Sequence, residues 1–132
     1  MKSVKIFASL LFVLALCTAS TLENKKKGIF IVGVSASFTD SLIYFTNIQF
    51  VDSIELDKNK LLPMRSQYSE QLDNYLEQNL GLNNRTCFIY FDEKKKKLEK
   101  TIKKMKEKYQ KEGKAILKET GADFKFTKAV EY

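Results

Sequence analysis

The chain alternates between short apolar runs of period two and longer segments with apolar residues three and four apart. "IFIVGVSASF", residues 29–38, places Phe30, Val32, Val34, Ala36 and Phe38 on one face, which predicts a strand. Gly33 falls on the other face, where a missing side chain marks a bulge or a close approach. "TDS" is a short turn, and "LIYFTNIQFV", residues 42–51, is rich in β-branched and aromatic residues. So short a connection predicts an antiparallel hairpin. Residues 52–63 form a mixed connection ending at Pro63. Residues 66–80 place Tyr68, Leu72, Tyr75, Leu76 and Leu80 on one helical stripe. Ser66 is the expected N-cap, and Gly81 the left-handed C-cap with Leu82 packing back.

"RTCFIYF", residues 85–91, lacks polar alternation after Thr86 and reads as a strand buried on both faces. In residues 93–112 Leu98, Ile102, Met105 and Tyr109 recur at helical spacing, and most other positions are lysine. Glu99 with Lys103, and Glu107 with Lys111, have the favourable order for i,i+4 pairs. "KAILKE" is a fourth strand and "FKFTKAV" a short alternating tail strand. The pattern is β-β-α-β-α-β(-β): a single α/β (α+β) domain over residues 29–132, a four- or five-stranded mixed sheet covered by two helices. Strand, helix, strand across 85–119 predicts a parallel neighbouring pair, giving the strand order 2-1-3-4.

The N-terminus departs from this pattern. Lys2 and Lys5 precede an apolar run, Ile6–Leu16, too short to span a bilayer, which needs about 20 apolar residues. These are the features of a signal peptide, residues 1–19, with cleavage expected after Ala19 or Ser20 and a polar leader over 20–28. Leu16, just before Cys17, disfavours lipidation of that cysteine, where a small residue is required. The expected location is periplasmic or secreted, and no later segment is apolar enough to cross a membrane. Removing residues 1–19 takes away two lysines and no acids, so the formal net charge falls from +7 to +5. Only Cys87 then remains, which rules out an internal disulfide. Its apolar surroundings predict a buried, inert thiol.

The chemistry is bounded mainly by what is missing. The chain has no histidine, so histidine acid–base catalysis and histidine metal ligands are excluded. One cysteine cannot build a thiolate zinc cage. No glycine-rich phosphate loop is present, and Ser35, Ser37 and Ser41 lack a nucleophile-elbow context. No cofactor, metal or catalytic set is therefore expected. Asp40 and Asp92 are the carboxylates that would serve a small hydrolase-like enzyme, the alternative to a non-enzymatic binding protein. Asp92 also suits an N-cap for the lysine-rich helix. That helix offers Lys96, Lys100, Lys103 and Lys104 as an anion-binding face. An anionic envelope component or a protein is the expected partner. Nucleic acid is not, because export argues against it. Asn84-Arg85-Thr86 is an N-x-T sequon, and Asp40-Ser41-Leu42 and Asp52-Ser53-Ile54 match a short O-glycosylation pattern.

"GVSASFTDSLIYFTNIQFVDS", "YSEQLDNYL", "NRTCFIYF" and "ADFKFT" together resemble a family of small, uncharacterised exported proteins of Bacteroidetes. The resemblance covers nearly the whole mature chain. It implies export and one compact domain, and it supplies no catalytic residues.

Overall fold

A computed structural model describes residues 27–130; the expected signal peptide and leader, up to Lys26, and the last two residues lie outside the described residues. The elements run β1 (Gly28–Ala36), β2 (Leu42–Phe45), β3 (Gln49–Asp52), α1 (Arg65–Leu80), β4 (Thr86–Asp92), α2 (Lys95–Glu112) and β5 (Ile116–Glu119). The domain is α+β, with five strands in one mixed open sheet and two helices among the described residues.

β1 is the centre of the sheet. Along one side it pairs antiparallel with β4 over seven positions, Phe30↔Asp92 to Ala36↔Thr86. Along the other side it pairs with β2 at Val34 and Ser35, and with β3 from Gly28 to Ile31. The single second strand read from residues 42–51 is thus broken in two. At the break the Thr46 N–H donates to the Gly33 carbonyl, and the Gly33 N–H donates to Thr46 Oγ1, both at 2.9 Å. Gly33 does mark a close approach. A Cβ there would stand 2.6 Å from Leu72 Cδ2 and 3.1 Å from Phe126 Cζ.

The strand order departs from the sequence expectation. The fourth predicted strand, β5, pairs in parallel with β2, not with β4. The physical reason lies in α2, which must bury Leu98 and Ile102. Its apolar stripe packs with Val32, Val34, Ile43 and Phe45 of the central strands. The helix therefore crosses the sheet from β4 and delivers the chain to the far edge. β5 suits an edge, since Ile116, Lys118 and Glu119 are exposed.

Odd residues of β1 face α1. Ile29 and Ile31 pack there with Tyr68, Leu72, Leu76 and Ile89, and with Phe124 and Phe126 of the tail. Even residues face α2. The sheet is thus the middle of three layers, and β1 is buried on both faces. β4 is not, contrary to the reading of "TCFIYF". Only Ile89 is fully buried, Cys87, Tyr90 and Phe91 are half-buried, and Phe88 is 50 % exposed. An apolar run cannot distinguish a central strand from an apolar edge, and among the described residues β4 pairs with β1 alone.

The caps hold in part. Gly81 adopts φ 66, and the N–H groups of Gly81 and Leu82 return to the carbonyls of Glu77 and Leu76. Ser66 is not the N-cap: Met64 is, in the left-handed region, and Ser66 lies in the first turn. Glu99 turns to Lys95 at 4.0 Å rather than to Lys103. The tail after β5, expected as a short strand, forms none among the described residues. Phe124, Phe126 and Ala129 are buried. Three glutamines take the place of strand neighbours. Gln71 bonds the N–H and the carbonyl of Thr127, Gln67 those of Val130, and Gln49 the Phe124 carbonyl and the Phe126 N–H.

Candidate functional site

Two polar features stand out from this frame. The first is a buried arginine at the end of the sheet that carries the β1–β2 turn. Arg85 precedes β4, and its side chain is 1 % exposed. Its Nε donates to Ser35 Oγ at 3.0 Å, and its Nη1 donates to Asp40 Oδ1 and Oδ2 at 3.1 and 2.8 Å. Its Nη2 donates to the main-chain carbonyls of Leu42 and Ser35. The guanidinium also lies 5.3 Å from the Tyr44 ring centroid, within cation–π range. Asp40 in turn accepts the Leu42 N–H at 2.9 Å. That bond first, and Arg85 second, hold its carboxyl below the ordinary value of 3.8. A carboxylate so held is a poor general base or acid near neutral pH.

The arrangement fastens the turn 37–41 to the start of β4. Arg85 donates to two strand carbonyls and to the buried Ser35 hydroxyl, so its own burial is compensated by hydrogen bonds. Ser35 is fully buried and presents no nucleophile to solvent. Asp92, the other carboxylate picked out from the sequence, lies at the opposite end of β4. Seven residues of extended chain separate it from Arg85, roughly 20 Å at strand rise. Asp92 accepts the Lys94 N–H at 2.8 Å in the turn that leads into α2, two residues before the N-cap position, which Lys94 occupies. The structure therefore does not bring Asp40 and Asp92 together as an acid/base pair. Among the described residues no group of three or more Cys, Asp or Glu could hold a metal ion.

The second feature is α2. Leu98 and Ile102 are buried, and Met105 and Tyr109 are half-buried against the sheet, as their spacing predicts. At 100° per residue Lys96, Lys100, Lys103 and Lys104 fall on the far side of the helix. All four are exposed, and among the described residues none is in an ion pair. The lysines that do pair lie on the flanks. Lys95 meets Glu99, and Lys106 meets Glu119 at 3.4 Å and stands 5.0 Å from the Phe45 ring centroid. The four lysines share this outer face, and Lys103 also borders a groove of about 470 Å³ with Glu99, Ile102, Lys106 and Glu107.

Cys87 is half-buried on β4, with its thiol pKa raised by burial. Asn84, Ser41 and Ser53, the acceptors of the three glycan patterns, are exposed. Sequence reasoning missed the Arg85–Asp40–Ser35 cluster, because its members are 45 and 50 residues apart and each sits in an unremarkable context. The only available signal was an arginine opening an apolar run. No known family model, curated protein or solved structure matches this chain.

Proposed function

We propose that this is an exported, non-enzymatic protein that docks on an anionic envelope surface through the outer face of α2. The observation that carries the reading is the set Lys96, Lys100, Lys103 and Lys104, exposed together on one face and in no ion pair among the described residues. The N-terminal signal pattern and the resemblance to small exported Bacteroidetes proteins support export. Leu98 and Ile102 belong to the core, so the helix cannot turn its apolar stripe to a bilayer. Docking is then electrostatic. Each lysine near an anionic membrane contributes about 1 kcal/mol, so four contribute about 4 kcal/mol, near a thousandfold in affinity. No helix among the described residues is long and apolar enough to cross a membrane.

The test is co-sedimentation of the protein with vesicles containing anionic lipid, against vesicles of neutral lipid alone. Binding is expected at low salt and its loss at 1 M, where the Debye length is about 3 Å. Charge reversal of the four lysines should abolish binding and leave the circular dichroism spectrum unchanged. Absence of binding at low salt, or binding that survives 1 M salt, would refute the reading.

A further inference from the structure

The outer edge of β4 is the strongest remaining feature. Among the described residues β4 pairs with β1 alone, so one side of a seven-residue strand presents unpaired N–H and carbonyl groups. Folded proteins ordinarily blunt such edges with lysine, proline, bulges or short length. The edge strand β5 follows that practice: it has four residues, among them Lys118 and Glu119. β4 does not. "TCFIYFD" carries no basic residue, no glycine and no proline, and Phe88 is half exposed at its middle.

The strand is also self-complementary. Antiparallel pairing centred on Ile89 sets Phe88 against the partner's Tyr90, Cys87 against the partner's Phe91, and Thr86 against the partner's Asp92. The first is an aromatic cross-strand pair, and the last places a hydroxyl beside a carboxylate. The neighbouring helix fits the same axis. A groove of about 540 Å³ runs beside the edge, lined by Arg65, Ser66 and Ser69 of α1 and by Cys87 to Tyr90 of β4. Ser69, a small residue, lies midway between Arg65 and Asp73. Those two are eight residues apart, about 12 Å along a helix. Cys87 and Phe91, which exchange places across the axis, are four strand residues apart, about 13 Å. Arg65 of one copy therefore comes opposite Asp73 of the other. Asp73 and Glu77 do lie toward this edge, since their charges act on the Cys87 thiol.

We propose that two copies of this chain pair through the outer edges of β4, antiparallel about a two-fold axis at Ile89, forming one continuous ten-stranded sheet. Such an interface is isologous and closes on itself, so it stops at two copies. It covers Phe88 and the groove, and it requires no disulfide because Cys87 faces the partner's Phe91.

Sedimentation velocity on the full chain over a concentration series, with reductant present, tests the proposal. A dimer is expected. Phe88→Lys should give a folded monomer. Should that variant lose its circular dichroism spectrum, Thr86→Lys, at an exposed position of the same edge, takes its place with the same expected outcome. Arg65→Glu should weaken the dimer about tenfold, because two symmetry-related pairs are lost. Adding Asp73→Arg should restore it. A wild-type chain that remains monomeric, a dimer that reductant dissolves, or a dimer indifferent to Phe88→Lys and Thr86→Lys would each overturn the proposal.

Discussion

Arg85 and Asp40 form a pair whose two halves differ sharply in burial, and that difference makes an ordered prediction. The Arg85 side chain is 1 % exposed and the Asp40 side chain 37 %. Replacing Arg85 with Met removes the charge and keeps an apolar stem of similar length. Asp40 then turns to water and keeps its bond from the Leu42 N–H. What is lost is the donor to Ser35 Oγ and to the carbonyls of Ser35 and Leu42. Each such hydrogen bond contributes about 1 kcal/mol net, and the Ser35 carbonyl contact is long at 3.4 Å. The Met stem returns part of this by packing, so Arg85→Met should cost about 2 kcal/mol. Asp40→Asn works the other way. It keeps an acceptor for the Leu42 N–H but strands a buried guanidinium without a counter-charge, the more expensive kind of loss. Asp40→Asn should therefore destabilise more than Arg85→Met, although Asp40 is the more exposed residue. In the double variant the stranded charge is gone, so its stability should lie close to that of Arg85→Met alone. Urea denaturation of the four proteins closes the cycle, provided the m-values agree. Additive single effects, or Arg85→Met as the costlier change, would refute the assignment of the pair as a buried positive charge with one essential counter-ion.

The other predictions concern the same core from different sides. The depressed Asp40 carboxyl contributes stability that is present above its unfolded value of 3.8 and is lost as pH falls through its lower folded value. Acid titration of stability should show that loss below pH 3.8 in the wild type and a smaller one in Asp40→Asn. Ile102→Ala should cost about 2–5 kcal/mol by leaving a cavity under α2, whereas Lys96→Ala should stay within about ±0.5 kcal/mol; urea melts separate them. Gly33→Ala should cost about 1–3 kcal/mol by overpacking against Leu72 and Phe126, with no backbone strain involved. Phe126→Ala should cost about 3–5 kcal/mol, and hydrogen exchange should then show the Thr127 and Val130 amides losing protection first.

Much of this fold could be read from local pattern, and the failures share one cause. The helical stripes Leu98–Ile102 and Tyr68–Leu72–Leu76 are set by spacing alone, and they appear where spacing puts them. Gly33 stands out as a missing side chain within an apolar strand pattern, and Leu72 and Phe126 do fill the space a side chain would take. The separation of the two candidate carboxylates and the strand order were not legible, because they depend on where chain segments meet. Nothing within "DEKKKKLEK" states that α2 will carry the chain across β1 and β2 before β5 begins. Nothing in "TCFIYF" states that only one of its sides will be paired. The glutamine brackets were equally hidden. Gln49, Gln67 and Gln71 read as surface residues, yet each bonds the backbone of a tail segment more than fifty residues away.

Apolar residues at the edge and lysines on the outer helix face lead to different tests because they obey different physics. An ion-pairing surface is weakened by salt, and a strand edge satisfied by backbone bonds and aromatic contacts is not. The basic face lies over one side of the sheet, on α2, while the open edge of β4 adjoins α1. A dimer through β4 would extend the sheet sideways and carry a second α2 on the same face as the first. Two four-lysine surfaces would then be available to one anionic surface, and the second contact would form at the high effective concentration of a linked site. Vesicle affinity should in that case fall in Phe88→Lys, a variant that leaves every lysine of α2 in place. Equal vesicle affinity of that monomeric variant and the wild type would show that the two surfaces act independently.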